Sequence, residues 1–202
     1  MSATTLTPEA RREQTRRALL ASAEALFLEH GYHQVTLDGV AEGAGMTKGA
    51  IYSNFDSKAD LFFAVLEERA QAALERYSET VLAESDLDSA IAAVSAVADP
   101  LRPDWEQSLL ELEARALAAR DPEVRERLVD LQRRQVARIA DLLTAVSEQL
   151  GLPLARPVEQ SAALALAATA GLADLARIDP EADLDERFES LVEMLARHAL
   201  VT

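Results

Sequence analysis

Thr47, Lys48, Gly49, Ala50 and Tyr52 stand within one short stretch, with Asn54 and Lys58 just beyond it. Hydroxyls, an amide and two ammonium groups are donors suited to phosphate oxygens. Gly49 lets a backbone come near a base edge, and Ala50 is small enough to meet a thymine methyl. Thr36 lies upstream with a further hydroxyl. Residue types and spacing together point to holding duplex DNA rather than to breaking bonds.

Short helices must position these groups. Thr36 can cap a helix whose inward face is Leu37, Val40, Ala41 and Ala44. Gly45 then turns the chain, and Thr47 can cap a second, very short helix. Ile51 and Phe55 point back to the core, and Ser57 can cap the next helix with Lys58 in its first turn. This is the plan of a helix-turn-helix, whose second helix enters the major groove by its N-terminal end. Gly39 and Gly43 fall inside its first helix, where each is expected to cost about 1 kcal/mol relative to Ala.

Leu, Ala, Glu and Arg dominate the rest of the chain, and apolar residues recur at helical spacing. Stripes run through Leu19, Ala23, Leu26 and Phe27, through Leu128, Leu131, Ile139, Leu142 and Val146, and through Phe188, Leu191, Val192, Leu195 and Ala199. Thr7-Pro8-Glu9 and Asp121-Pro122-Glu123 read as helix starts, while Gly31 and Gly151-Leu152-Pro153 read as stops. The pattern predicts an all-α chain of about nine helices, near 8–30, 37–44, 48–53, 57–83, 87–98, 103–119, 122–150, 157–177 and 183–200.

Between Gly31 and Leu61 the sequence resembles the TetR family of regulators. The matching elements are Gly31-Tyr32, Val35-Thr36, Val40-Ala41, Ala44-Gly45-Met46-Thr47, Gly49, Ile51-Tyr52, Phe55 and Ser57-Lys58. Asn54 departs from the ring residue common there, and Ala59 from the commoner acid. The resemblance implies a homodimer with an N-terminal three-helix DNA-binding domain, residues 1–56, and a helical ligand-binding and dimerisation domain, residues 57–202. It implies a palindromic duplex operator and a small-molecule effector as partners, with repression as the expected mode. DNA contacts then fall to Thr36, Thr47, Lys48, Gly49, Ala50, Tyr52, Asn54 and Lys58. Ligand contacts are expected from Leu66, Trp105, Leu109, Leu112 and Glu113, although Leu66, like Phe62 and Phe63, also reads as core. The helices near 157–177 and 183–200 would pair with their symmetry copies through Leu164, Ala168, Leu172, Leu191 and Leu195.

Net charge is −15 over 202 residues, an unusual balance for a nucleic-acid binder. The excess is uneven: residues 1–60 hold 6 Lys+Arg and 8 Asp+Glu, and residues 61–202 hold 14 and 27. Positive charge in the first part is concentrated at Arg11, Arg12, Arg16, Arg17, Lys48 and Lys58. With no cysteine, disulfides, thiolate metal sites and cysteine nucleophiles are excluded. His30 and His33 are separated by Gly31 and lack further ligands, so neither a metal nor a cofactor is expected. No apolar run has membrane-spanning length and no signal segment opens the chain, which points to the cytoplasm. The alternatives are an all-α carboxylate-bearing enzyme and a helical interaction module without a DNA role. The acids are spread singly, with no Glu-x-x-His pair, phosphate-cradling loop or serine elbow. The enzyme reading therefore lacks its chemistry.

Overall fold

The computed structural model describes residues 7–97, 105–179 and 184–200. Within them the chain forms α1 (Pro8–Gln34), α2 (Leu37–Gly43), α3 (Lys48–Tyr52), α4 (Lys58–Val81), α5 (Leu87–Val97), α6 (Trp105–Ala118), α7 (Pro122–Leu150), α8 (Val158–Ile178) and α9 (Leu184–Ala199). The sole β-pairing among the described residues is an isolated bridge between Leu154 and Leu200. The all-α expectation holds, with helix ends within a few residues of those read from the sequence.

Two compact units result. The first joins Met1–Glu68 to Leu109–Leu128, and the second joins Arg69–Ser108 to Val129–Thr202. The first unit therefore extends past residue 56 and takes in a second, distant segment of chain.

In the first unit α1 starts as the Thr-Pro-Glu signal requires: Thr7 Oγ1 accepts from the Ala10 N–H at 3.1 Å. Its inward face buries Leu19, Leu20, Ala23 and Phe27. These meet a core that also contains Val40, Ile51, Phe55, Leu61 and Phe62, all at 2% exposure or less. The returning segment adds buried Leu110, Ala114, Ala118 and Val124. An aromatic cluster centres on Phe62, whose ring lies edge-on to Phe27 and Tyr32, each 5.0 Å away between centroids.

Gly31 does not end α1 as expected. It breaks the helix at φ 72°, ψ 166°, after which helical structure resumes to Gln34. The Tyr32 N–H, displaced from the helical ladder, donates to both carboxylate oxygens of Glu113, at 2.8 and 2.9 Å. Gly43 also has a structural reason. A Cβ there would lie 2.6 Å from Ser22 Oγ on α1, and that hydroxyl donates to the Val40 carbonyl at 3.0 Å. The helix propensity lost at Gly43 is exchanged for close approach of α2 to α1.

In the second unit α9 packs against α5 and α8. Val81, Leu87, Ala90, Ile91, Val146, Ala199 and Leu200 form its core. Gln149 Nε2 donates to the Leu82 and Glu84 carbonyls at 3.0 and 2.7 Å, closing the turn after α4. Arg197 on α9 reaches Asp88 on α5 at 2.8 Å. Burial pushes the Tyr77 hydroxyl up to about 12, so it stays neutral at physiological pH.

Candidate DNA interface

The two short helices are joined by a tight, fully bonded turn. The Met46 N–H donates to the Ala41 carbonyl at 2.8 Å, and the Gly45 N–H to Glu42 at 2.9 Å. Gly45 has φ 66°, so the pair of bonds and the left-handed residue make a Schellman ending of α2. Thr36 Oγ1 accepts from the Gly39 N–H at 3.1 Å, and Thr47 Oγ1 from Ala50 at 3.2 Å. Each threonine thus caps the helix it precedes. Ile51 and Phe55, at 0% and 2% exposure, fasten α3 to the core from below.

That anchoring turns the opposite side of α3 outward. Lys48 and Gly49 are exposed, and Tyr52 is 57% exposed despite its size. Ala50 is half-buried. Lys48 Nζ donates to Asp38 Oδ2 on α2, which holds its ammonium above the usual lysine range. Tyr52 OH donates to Asp38 Oδ1 at 3.4 Å. Asp38 was not singled out by sequence; its signal was only an acid in the first turn of a short helix.

Two other expected contacts are engaged elsewhere. Asn54 Nδ2 donates to the Ala50 carbonyl at 2.7 Å, closing the end of α3. Lys58 Nζ donates to the Tyr32 and His33 carbonyls at 2.8 and 3.2 Å and lies 4.4 Å above the Tyr32 ring. Burial lowers its pKa. In this arrangement Lys58 serves as a cationic cap on the end of α1. Among the basic residues of α1, Arg16 stacks on Phe55 at 4.7 Å and Arg17 pairs with Glu13 at 2.8 Å. Arg11 and Arg12 are exposed.

The five expected ligand residues do not share one environment. Leu66 is buried at 5% exposure, whereas Leu109 and Leu112 are 47% and 46% exposed. Glu113 has both oxygens on the Tyr32 N–H. The Trp105 side chain lies outside the described residues. Among the described residues, no group of three or more His, Asp or Glu is placed to hold a metal ion, and no helix is long and apolar enough to cross a membrane.

Residues 19–65 match the family model described as bacterial regulatory proteins, tetR family. The chain is 33% identical over 118 residues to the HTH-type transcriptional repressor AcnR of Corynebacterium diphtheriae, covering 58% of this chain and 57% of that one. It is 47% identical over 53 residues to the HTH-type transcriptional repressor BepR of Brucella suis, covering 26% of this chain and 25% of that one. The chain thus spans little more than half the length of the first relative and a quarter of the second. Among solved structures, FadR from Bacillus subtilis in complex with stearoyl-CoA superposes with a TM-score of 0.67 at 20% identity, covering 90% of this chain and 98% of that one. That likeness concerns the fold. The matched stretch holds the capped α2–turn–α3 pair and its outward Lys48, Gly49 and Tyr52, so over residues 19–65 the chain is similar to the tetR family of bacterial regulatory proteins.

Proposed function

We propose that the chain is a ligand-responsive transcriptional repressor acting in the cytoplasm as a homodimer. Two copies of α3 would read the two halves of a palindromic operator, and a small molecule bound among the helices of residues 57–202 would release it. The observation that carries this reading is the α2–turn–α3 arrangement. It is closed by its own hydrogen bonds and fastened by Ile51 and Phe55, and it leaves Lys48, Gly49 and Tyr52 facing outward. Such a pre-formed projection spends little ordering entropy on entering a groove.

Support for a dimer comes from apolar side chains exposed on α8 and α9. Leu164 is 51% exposed, Leu175 54% and Met194 60%. Ala168, Leu172, Leu191 and Leu195 beside them are only half-buried. A second copy laid on these helices would remove that area from water, as two-fold packing requires. Sedimentation at micromolar concentration should give a dimer, and Leu164→Glu should shift it toward monomer. A wild-type monomer under those conditions defeats this part.

Support for an effector comes from the stearoyl-CoA bound to FadR, a structural relative of the same fold. The effector of this chain is assigned only as a small molecule.

The operator test is a gel shift after selection of bound duplexes from a random-sequence pool. The wild-type chain should give a sequence-selective, salt-sensitive shift. Lys48→Ala and Tyr52→Phe should each weaken it about tenfold, the order of 1.4 kcal/mol for one polar contact, with thermal stability nearly unchanged. Unchanged affinity in both variants removes α3 from the interface. An effector that loosens the operator should itself be loosened by operator to the same factor, as linkage demands.

A further inference from the structure

A single carboxylate on α2 ties both ends of α3. Asp38 Oδ2 accepts from Lys48, the first residue of α3, at 2.5 Å. Its Oδ1 accepts from Tyr52, the last residue of α3, at 3.4 Å. The Lys48 side chain is 73% exposed and that of Asp38 43%. A pair so open to water adds little to folding stability. Its place on the outward side of the two helices gives it a different importance.

An isolated lysine on such a surface attracts any phosphate, whatever the base sequence. A lysine already paired to a carboxylate presents almost no net charge to a distant phosphate. An ammonium has three donors, however, so one can stay on Asp38 while the others reach a fixed acceptor. The Tyr52 hydroxyl, 3.4 Å from the same carboxylate, is a second and weaker tether on the far end of α3. The set is therefore poor at grasping random duplex and well prepared for a groove that fits it as it stands.

Resting on the reading of α3 as the recognition helix, we propose that Asp38 is a specificity-determining positioning residue. It withholds Lys48 from the phosphates of random DNA and presents Lys48 and Tyr52 in the geometry that the operator takes. Discrimination arises from a penalty on the wrong sites more than from added attraction at the right one.

The test compares wild type, Asp38→Asn, Lys48→Met and the double variant on two duplexes, a selected operator and a scrambled one, across a series of salt concentrations. Asp38→Asn should tighten the scrambled duplex about threefold or more and steepen its salt dependence by about 0.9 for each head that gains a phosphate. Operator affinity should gain less, so the operator-to-scrambled ratio falls at least about threefold. In the Lys48→Met background the steepening should vanish, because the residue through which Asp38 acts is gone. The proposal is overturned if Asp38→Asn leaves the ratio unchanged, if it weakens both duplexes, or if the steepening persists without Lys48. A wild-type chain that selects no operator sinks the repressor reading and this inference with it. A selective wild type whose Asp38→Asn variant keeps its ratio sinks this inference alone.

Discussion

Phe62→Ala should lower unfolding stability by about 3–5 kcal/mol, the range for emptying a fully buried aromatic site. Phe62 is 0% exposed. It meets Phe27 and Tyr32 edge-on at 5.0 Å and Phe63 at 5.9 Å, so its removal breaks three ring contacts together. These rings come from α1 and α4. Phe62→Leu should lose less, because most of the volume is kept. Urea denaturation followed by circular dichroism measures both. A loss below about 1 kcal/mol for the alanine variant would mean that the site collapses freely, against the close packing described here.

Gly31→Ala should clearly destabilise the first unit. Two costs combine. At φ 72°, ψ 166° the backbone occupies a region open to glycine and strained for other residues by about 1–3 kcal/mol. The new Cβ would also stand 3.3 Å from Glu113 Oε1, crowding the carboxylate that accepts from Tyr32. Displacing that carboxylate weakens a charge-assisted bond whose complete loss would cost about 1.5–3 kcal/mol. A thermal melt should place Gly31→Ala well below wild type. Glu113→Ala should lose the bond without the strain, and the double variant should lose less than the sum, since one bond cannot be broken twice. Strict additivity would show that the glycine and the carboxylate act separately.

Local signals in the sequence agree with the structure wherever the cause is local. Thr7, Thr36 and Thr47 each cap the helix that follows, through a hydroxyl bonded three residues ahead. Gly45 makes the turn, and Ile51 and Phe55 face the core. What escaped depends on partners far along the chain. Gly31 reads as a helix stop because a glycine after an apolar stripe usually is one. Glu113, 81 residues away, supplies the acceptor that lets the chain kink there and continue. Gly43 reads as a weak point in a helix until Ser22 is placed against it. Lys58 carries two bonds that its charge and its position at the start of α4 do not announce. In the fold, the carbonyls at the end of α1 come within its reach and engage it. Asp38 was legible as an acid near a helix start but not as the shared acceptor for Lys48 and Tyr52, which needs the angle between α2 and α3.

The first unit is assembled from two stretches of chain, and this bears on how such a protein can be cut and recombined. A fragment ending at residue 56 would omit Phe62, leaving Phe27 and Tyr32 without their shared ring partner. A fragment ending at Glu68 would keep that ring. It would still lack Leu109–Leu128, and with it Glu113 for the Tyr32 N–H and Arg127 for Asp60. The unit is therefore not a cassette. Grafting the α2–turn–α3 pair onto a foreign helical domain means carrying a piece of α6 and α7 as well, or rebuilding their contacts in the host. Inheritance should face the same constraint: a crossover between two such genes near codon 60 would exchange half of a core, and survivors should come from parents whose returning segments are already interchangeable.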